Sequence, residues 1–223
     1  MCSTKALRAT SLSAPDLSST TPPSKICKAA YELASSLIHP VILDHSIRVY
    51  LYASALAESK GSVYHTDSAK KDLLFTACIL HDVGTATVFD GANRFEVDSA
   101  DAAVEHLTNF AVSEKDKNEV WCAIALHTSD GIVQKMGELA DMVRKAIEVD
   151  FGRTEVEEIE ELDKLRLQYE GKYPRMDVEK VLGDAVVEQA IKNPARAPKA
   201  SWPGTLYKWH LENPTWHGVN KAF

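Results

Sequence analysis

Cys78-Ile79-Leu80-His81-Asp82-Val83-Gly84-Thr85 sets a histidine and an aspartate side by side at the end of an apolar run. Leu74, Ala77, Cys78 and His81 fall at i, i+3, i+4 and i+7, so the imidazole is expected on the buried face of a helix. Gly84, just beyond, is the residue type that ends helices in a left-handed conformation. An imidazole and a carboxylate buried together at a helix end are costly unless a partner satisfies them. A divalent metal ion is such a partner.

The same spacing recurs three times. Ile38, Val41 and Ile42 lead to His45, with Pro40 marking where the regular helix begins; Val120, Ala123 and Ile124 lead to His127; Val143, Ala146 and Ile147 lead to Asp150. Four helices whose apolar stripes end in His or Asp can converge on one point inside a bundle. Imidazole nitrogen with carboxylate oxygen suits zinc, iron or manganese, and the thiolates of a structural zinc site are missing from the pattern. Taken singly, each residue has a plainer reading. A lone histidine on an apolar face is usually a hydrogen-bonded core residue, and Asp150 alone is a cap or a salt-bridge partner. The combination, in the order H…HD…D, is what points to a metal.

The 223 residues, 45% hydrophobic and 26% charged, are expected to form one domain with length enough for a core and a pocket. A net charge of −7 argues against non-specific binding to nucleic acid or an anionic membrane. Cys2, Cys27, Cys78 and Cys122 form no C-x-x-C pair, which predicts buried free thiols and a reducing, cytoplasmic setting. No apolar stretch reaches membrane-spanning length, and Lys5 and Arg8 precede no hydrophobic segment of a secretory signal.

Residues 1–23, rich in Ser, Thr, Pro and Ala, read as a flexible arm, and 24–223 as an all-α helical bundle. Helices are predicted over 25–38, 41–59, 67–82, 98–110, 114–128, 135–150, 154–170, 175–193 and 202–212. Ser24 and Ser113 are N-cap candidates, and Gly61 sits where a helix ends. Val156, Ile159, Leu162 and Leu165 give a charged segment one apolar edge, the pattern of an outer helix. The stretch from Trp202 to Phe223 holds three of the four tryptophans; such aromatic area is usually packing, and a pocket wall or a dimer contact are the alternatives.

His45, His81-Asp82 and Asp150 resemble the HD-domain superfamily, all-helical metal enzymes with an H…HD…D pattern, over roughly residues 40–152. The local likeness is to the cyanamide hydratase-like group. Asp44-His45-Ser46-Ile47-Arg48-Val49-Tyr50 is similar to its first-histidine motif, Cys78 to Thr85 to its second, and Phe95-Glu96 to a following element. The resemblance implies metal ligands His45, His81, Asp82 and Asp150, with Zn2+ as the ion and Fe or Mn as alternatives. Departures follow Glu96 (Val97-Asp98-Ser99) and His127 (Thr128-Ser129-Asp130), and the C-terminal third does not match.

The reaction implied is hydration of a small nitrile such as cyanamide to urea by hydroxide generated at the metal, formally a lyase. Glu96 is the candidate proton shuttle, or else the partner of Arg94 or Arg48. His127 is expected to contact the substrate or the water. Arg48, one turn after His45, is the candidate substrate-binding cation, and Asp130 either orients His127 or begins a turn. An HD-type phosphohydrolase is the alternative. A di-iron oxygenase drawing on His106 and His127, and a non-catalytic binding module, are further ones. The expected partner is a small-molecule substrate, with no nucleic acid or membrane and with a homo-oligomer left open.

Overall fold

A computed structural model describes residues 21–154, 159 and 161–223. Among these there are ten α-helices and no strand: α1 Lys25–Leu37, α2 Pro40–Ser59, α3 Val63–Thr66, α4 Ser68–Leu80, α5 Phe95–Thr108, α6 Glu114–Ala125, α7 Glu138–Asp150, α8 Leu162–Lys172, α9 Val178–Lys192 and α10 Trp202–Glu212. The all-α expectation holds. No described helix is long and apolar enough to cross a membrane.

Helix α2 is the axis. From Ile42 to Leu56 and Ala57 it is buried on nearly every side, packed between α4 and α7, with α3, α8 and α9 along its flanks. A helix apolar on most faces belongs in the centre of a bundle. The caps agree with the local chemistry. Ser24 Oγ accepts from Cys27 N at 3.1 Å, and Ser113 Oγ from Asp116 N at 3.2 Å. Gly61 follows α2 with φ 59°, a conformation that favours glycine.

Gly84 works differently from the expectation. Its φ is not positive; instead a Cβ there would lie 2.0 Å from the Phe95 carbonyl oxygen and 2.8 Å from Ser99 N. Close approach of α5, not a left-handed cap, is what requires glycine. The turn Val83–Thr85 is clamped from two sides, by Ser99 Oγ accepting from Gly84 N (2.8 Å) and by Gln189 Nε2 donating to Gly84 O (2.8 Å). The end of α4, which carries His81 and Asp82, is thereby fixed against α5 and α9.

Several boundaries move. Helix α5 begins at Phe95 rather than 98, which puts Glu96 in its first turn. Helix α6 stops at Ala125, so His127 lies just past its end. Helix α7 starts at Glu138 behind Gly137 at φ 116°. The helix expected over 154–170 is found from Leu162; residues 155–158 and 160, with Val156 among them, lie outside the described residues, as do residues 1–20 of the expected arm. Trp202 and Phe223 fold back on the bundle with ring centroids 5.3 Å apart, and Phe223 meets Phe151 at 5.1 Å.

Candidate metal centre

Four of the bundle's helix ends deliver the site. His45 projects from α2, His81 and Asp82 cap α4, His127 follows α6, and Asp150 is the last residue of α7; each is at most 4% exposed. Asp82, at φ −111° and ψ 5°, sits in the sparsely populated bridge region, which turns its carboxylate back toward the histidines.

The three imidazoles are held in one tautomer. His81 Nδ1 bonds the Cys78 carbonyl at 2.7 Å, His127 Nδ1 the Ile124 carbonyl at 2.7 Å, and His45 Nδ1 the Asp150 Oδ2 at 2.6 Å. Each acceptor lacks a proton, so each Nδ1 donates and each Nε2 is left with its lone pair. Those Nε2 atoms gather around Asp82. His81 Nε2 is 3.1 Å and His45 Nε2 3.8 Å from Oδ2, while His127 Nε2 is 3.6 Å from Oδ1. His45 and His81 face each other Nε2 to Nε2 at 3.3 Å.

This arrangement is incomplete as protein chemistry alone. Both oxygens of Asp82 are buried with no hydrogen-bond partner. Burial by itself would hold that carboxyl in its neutral form, but His81, His127 and His45 overcome it and keep the acid well below the usual range. Burial also opposes a charge on His81, yet Asp82 prevails and its basicity rises. A carboxylate buried among imidazole nitrogens needs positive charge at its oxygens, either a proton held on His81 or a metal ion in its place. Ligand atoms of His45, His81 and Asp82 lie within 4.8 Å of one another. Two imidazoles and a carboxylate are a donor set of catalytic divalent-metal sites, so the residues present fit such an ion.

The other expected residues divide. His127 lines the cavity beside the cluster, and burial with His81 nearby depresses its pKa to about 3. Asp150 meets only the Nδ1 side of His45. Glu96 is fully buried but stands behind the cavity wall, bonded by Arg94 and by Thr128 Oγ1 at 2.6 Å; the Arg94 alternative for its partner is the one found. Arg48 cannot meet substrate as expected. It is 0% exposed, its Nε and Nη2 bind Asp150 at 2.7 and 2.9 Å, and its Nη1 donates to the Tyr173 and Pro174 carbonyls. Asp130 also misses the site. It is exposed, lies in the turn, accepts from Gln134 Nε2 at 2.6 Å and stands 3.7 Å from Arg144 Nη2, so it touches a wall residue from outside and makes no bond to His127. His106 bonds the Ile26 carbonyl at 3.1 Å, against α1, and is no part of the cluster.

The sequence reading missed most of the cavity wall: Thr128, Arg144, Ile147, Phe151, Arg153 and Leu182. Only the aromatic content after Trp202 signalled a wall, and Trp202 and Phe223 supply it.

No curated protein matches the chain. Residues 42–180 match the HD domain family, more than half of the sequence and the whole span from His45 to Asp150. Proteins with this domain bind divalent metals and are in general metal-dependent hydrolases. The clustering of His45, His81 and Asp82 is what that match requires of a helical frame, and the chain belongs to the HD domain family.

Proposed function

We propose that this protein is a hydratase that adds water to a small nitrile such as cyanamide, with zinc as its ion. The observation that carries the reading is the size of the space before the cluster. The cavity is about 90 Å3 and is walled by Phe151, Trp202 and Phe223. That volume holds a handful of waters, against roughly 300–1,000 Å3 for sites that take drug-sized ligands. A nucleotide needs far more room.

His45, His81 and Asp82 would hold a divalent ion, which would supply activation of a water near neutral pH. The chain's own residues provide the rest. His127 offers an uncharged Nε2 to the cavity, a hydrogen-bond acceptor for the attacking water or for a substrate N–H. In the hydration the water oxygen bonds to the nitrile carbon, one C–N π bond is lost, one water proton goes to nitrogen and the other stays on the oxygen. Tautomerisation then gives urea, and nothing departs. Glu96 acts behind Thr128, fixing that hydroxyl so that its remaining lone pair is free for an N–H group. The small substrate is the only partner this reaction needs.

Arg144 and Arg153 also line the cavity, which favours a second reading, an HD-type phosphohydrolase whose guanidinium groups hold a phosphate ester. Incubating metal-loaded protein with cyanamide, other small nitriles and a panel of phosphate esters separates the two. Urea release is expected; phosphate release without urea transfers the assignment to the second reading. His127→Ala is expected to lower turnover by about 10²–10⁴-fold with the metal retained. Unchanged turnover would remove His127 from the reaction.

A further inference from the structure

We propose that Asp150, the fourth residue of the H…HD…D pattern, is a positioning residue and not a ligand, so that only His45, His81 and Asp82 hold the ion. The inference rests on the metal part of the reading above and not on its substrate.

Three observations carry it. The first is direction. Asp150 Oδ2 lies 2.6 Å from His45 Nδ1, whereas His81 and Asp82 face the opposite ring nitrogen, Nε2. The two nitrogens of an imidazole diverge, so an oxygen seated on one does not reach an ion on the other. The second is occupancy. Arg48 Nε donates to Asp150 Oδ1 and Arg48 Nη2 to Oδ2, a two-pronged grip that engages both oxygens and fixes the orientation of the carboxylate. Asp82, by contrast, has neither oxygen hydrogen-bonded.

The third is the cost of moving. Arg48 is 0% exposed, and Asp150 is the one carboxylate it binds. Its remaining nitrogen is spent on the Tyr173 and Pro174 carbonyls, which are neutral. Swinging Asp150 toward the ion would strand a guanidinium in the core without its counter-charge, an arrangement proteins strongly disfavour. Arg175 adds a further tie to the Asp150 carbonyl. The network therefore runs inward from the stretch after α8, through Arg48 and Asp150, to His45. Its effect is to orient the His45 ring and fix its tautomer, as carboxylates commonly do behind metal-bound histidines.

The test is zinc affinity, measured without reference to turnover by competition with a chromophoric chelator. Asp150→Asn keeps an acceptor for His45 Nδ1 and is expected to bind one zinc per chain with affinity reduced about 10–100-fold. Asp150→Leu, which offers no acceptor, should bind more weakly than Asp150→Asn. Asp82→Asn and His81→Ala should show no binding under the same conditions. Anomalous diffraction from zinc-loaded wild-type crystals needs no variant to fold, and should show Asp150 still in the grip of Arg48. An Asp150 oxygen coordinated to the zinc, or loss of zinc from Asp150→Asn as complete as from Asp82→Asn, overturns the proposal. Wild-type protein that binds no metal overturns it together with the metal reading. Zinc on three residues without nitrile turnover leaves it standing and removes only the hydratase assignment.

Discussion

The two ends of the His45 imidazole meet two aspartates in opposite conditions. At Nδ1 stands Asp150, each oxygen hydrogen-bonded by Arg48 or His45; near Nε2 stands Asp82, equally buried, with both oxygens unpartnered. Satisfied buried charge is scaffold. Unsatisfied buried charge is a place where something binds, since a fold keeps such a group only when a ligand compensates it.

Asp82→Asn gives the largest contrast. It should abolish zinc binding, yet cost metal-free protein less unfolding free energy than loss of the Arg48 grip, because only the attraction of the neighbouring imidazoles is given up. Urea denaturation of the stripped protein checks this. A large destabilisation would mean that Asp82 is as much scaffold as Asp150. Removing the other side of the comparison acts in reverse. Arg48→Met takes both of its donors from Asp150, leaves Oδ1 without a partner, and should cost about 3–5 kcal/mol by the same measurement. A loss below 1 kcal/mol would show that the grip on Asp150 contributes little.

These contrasts were only half legible beforehand. Local spacing reports which face of a helix a side chain occupies, and it placed His45, His81 and His127 on buried stripes correctly. It cannot report which of two acids near one centre is already neutralised. Arg48 and Asp150 are 102 residues apart, and the carbonyls that complete Arg48 lie beyond α8. The three-residue step from His45 to Arg48 is visible and gives them one helical face, but His45 reaches the cavity while Arg48 points into protein. Helix α5 starts at Phe95, three residues before the expected 98; Arg94 makes no side-chain cap, and the acidic residues Glu96 and Asp98 in the first turn are the usable sign. The cavity wall draws on α7, α9 and α10 at once, and no local pattern encodes such a meeting.

The pH dependence sharpens the comparison further. Burial disfavours the charged form of Asp150, but His45 and Arg48 outweigh it and lower its pKa in the folded state. A carboxyl with a depressed folded pKa contributes stability above its unfolded value, about 3.9, and loses it as the pH falls through the folded value. Metal-free wild type should therefore lose stability from about pH 4 downward, and Asp150→Asn should lose less over that window. Parallel slopes for the two would contradict the assignment. The smallest effect is expected at Asp130, exposed and outside the cavity, where Asp130→Ala should change stability by less than about 0.5 kcal/mol and leave turnover unaltered. A marked fall in turnover would return it to the site.

The central claim is that His45, His81 and Asp82 together hold a divalent ion. Metal analysis of the purified wild-type protein beside His81→Ala tests it most directly. The account predicts one divalent ion per chain in the first and none in the second. Equal metal content in both, or none in either after loading with zinc, iron or manganese, would contradict it.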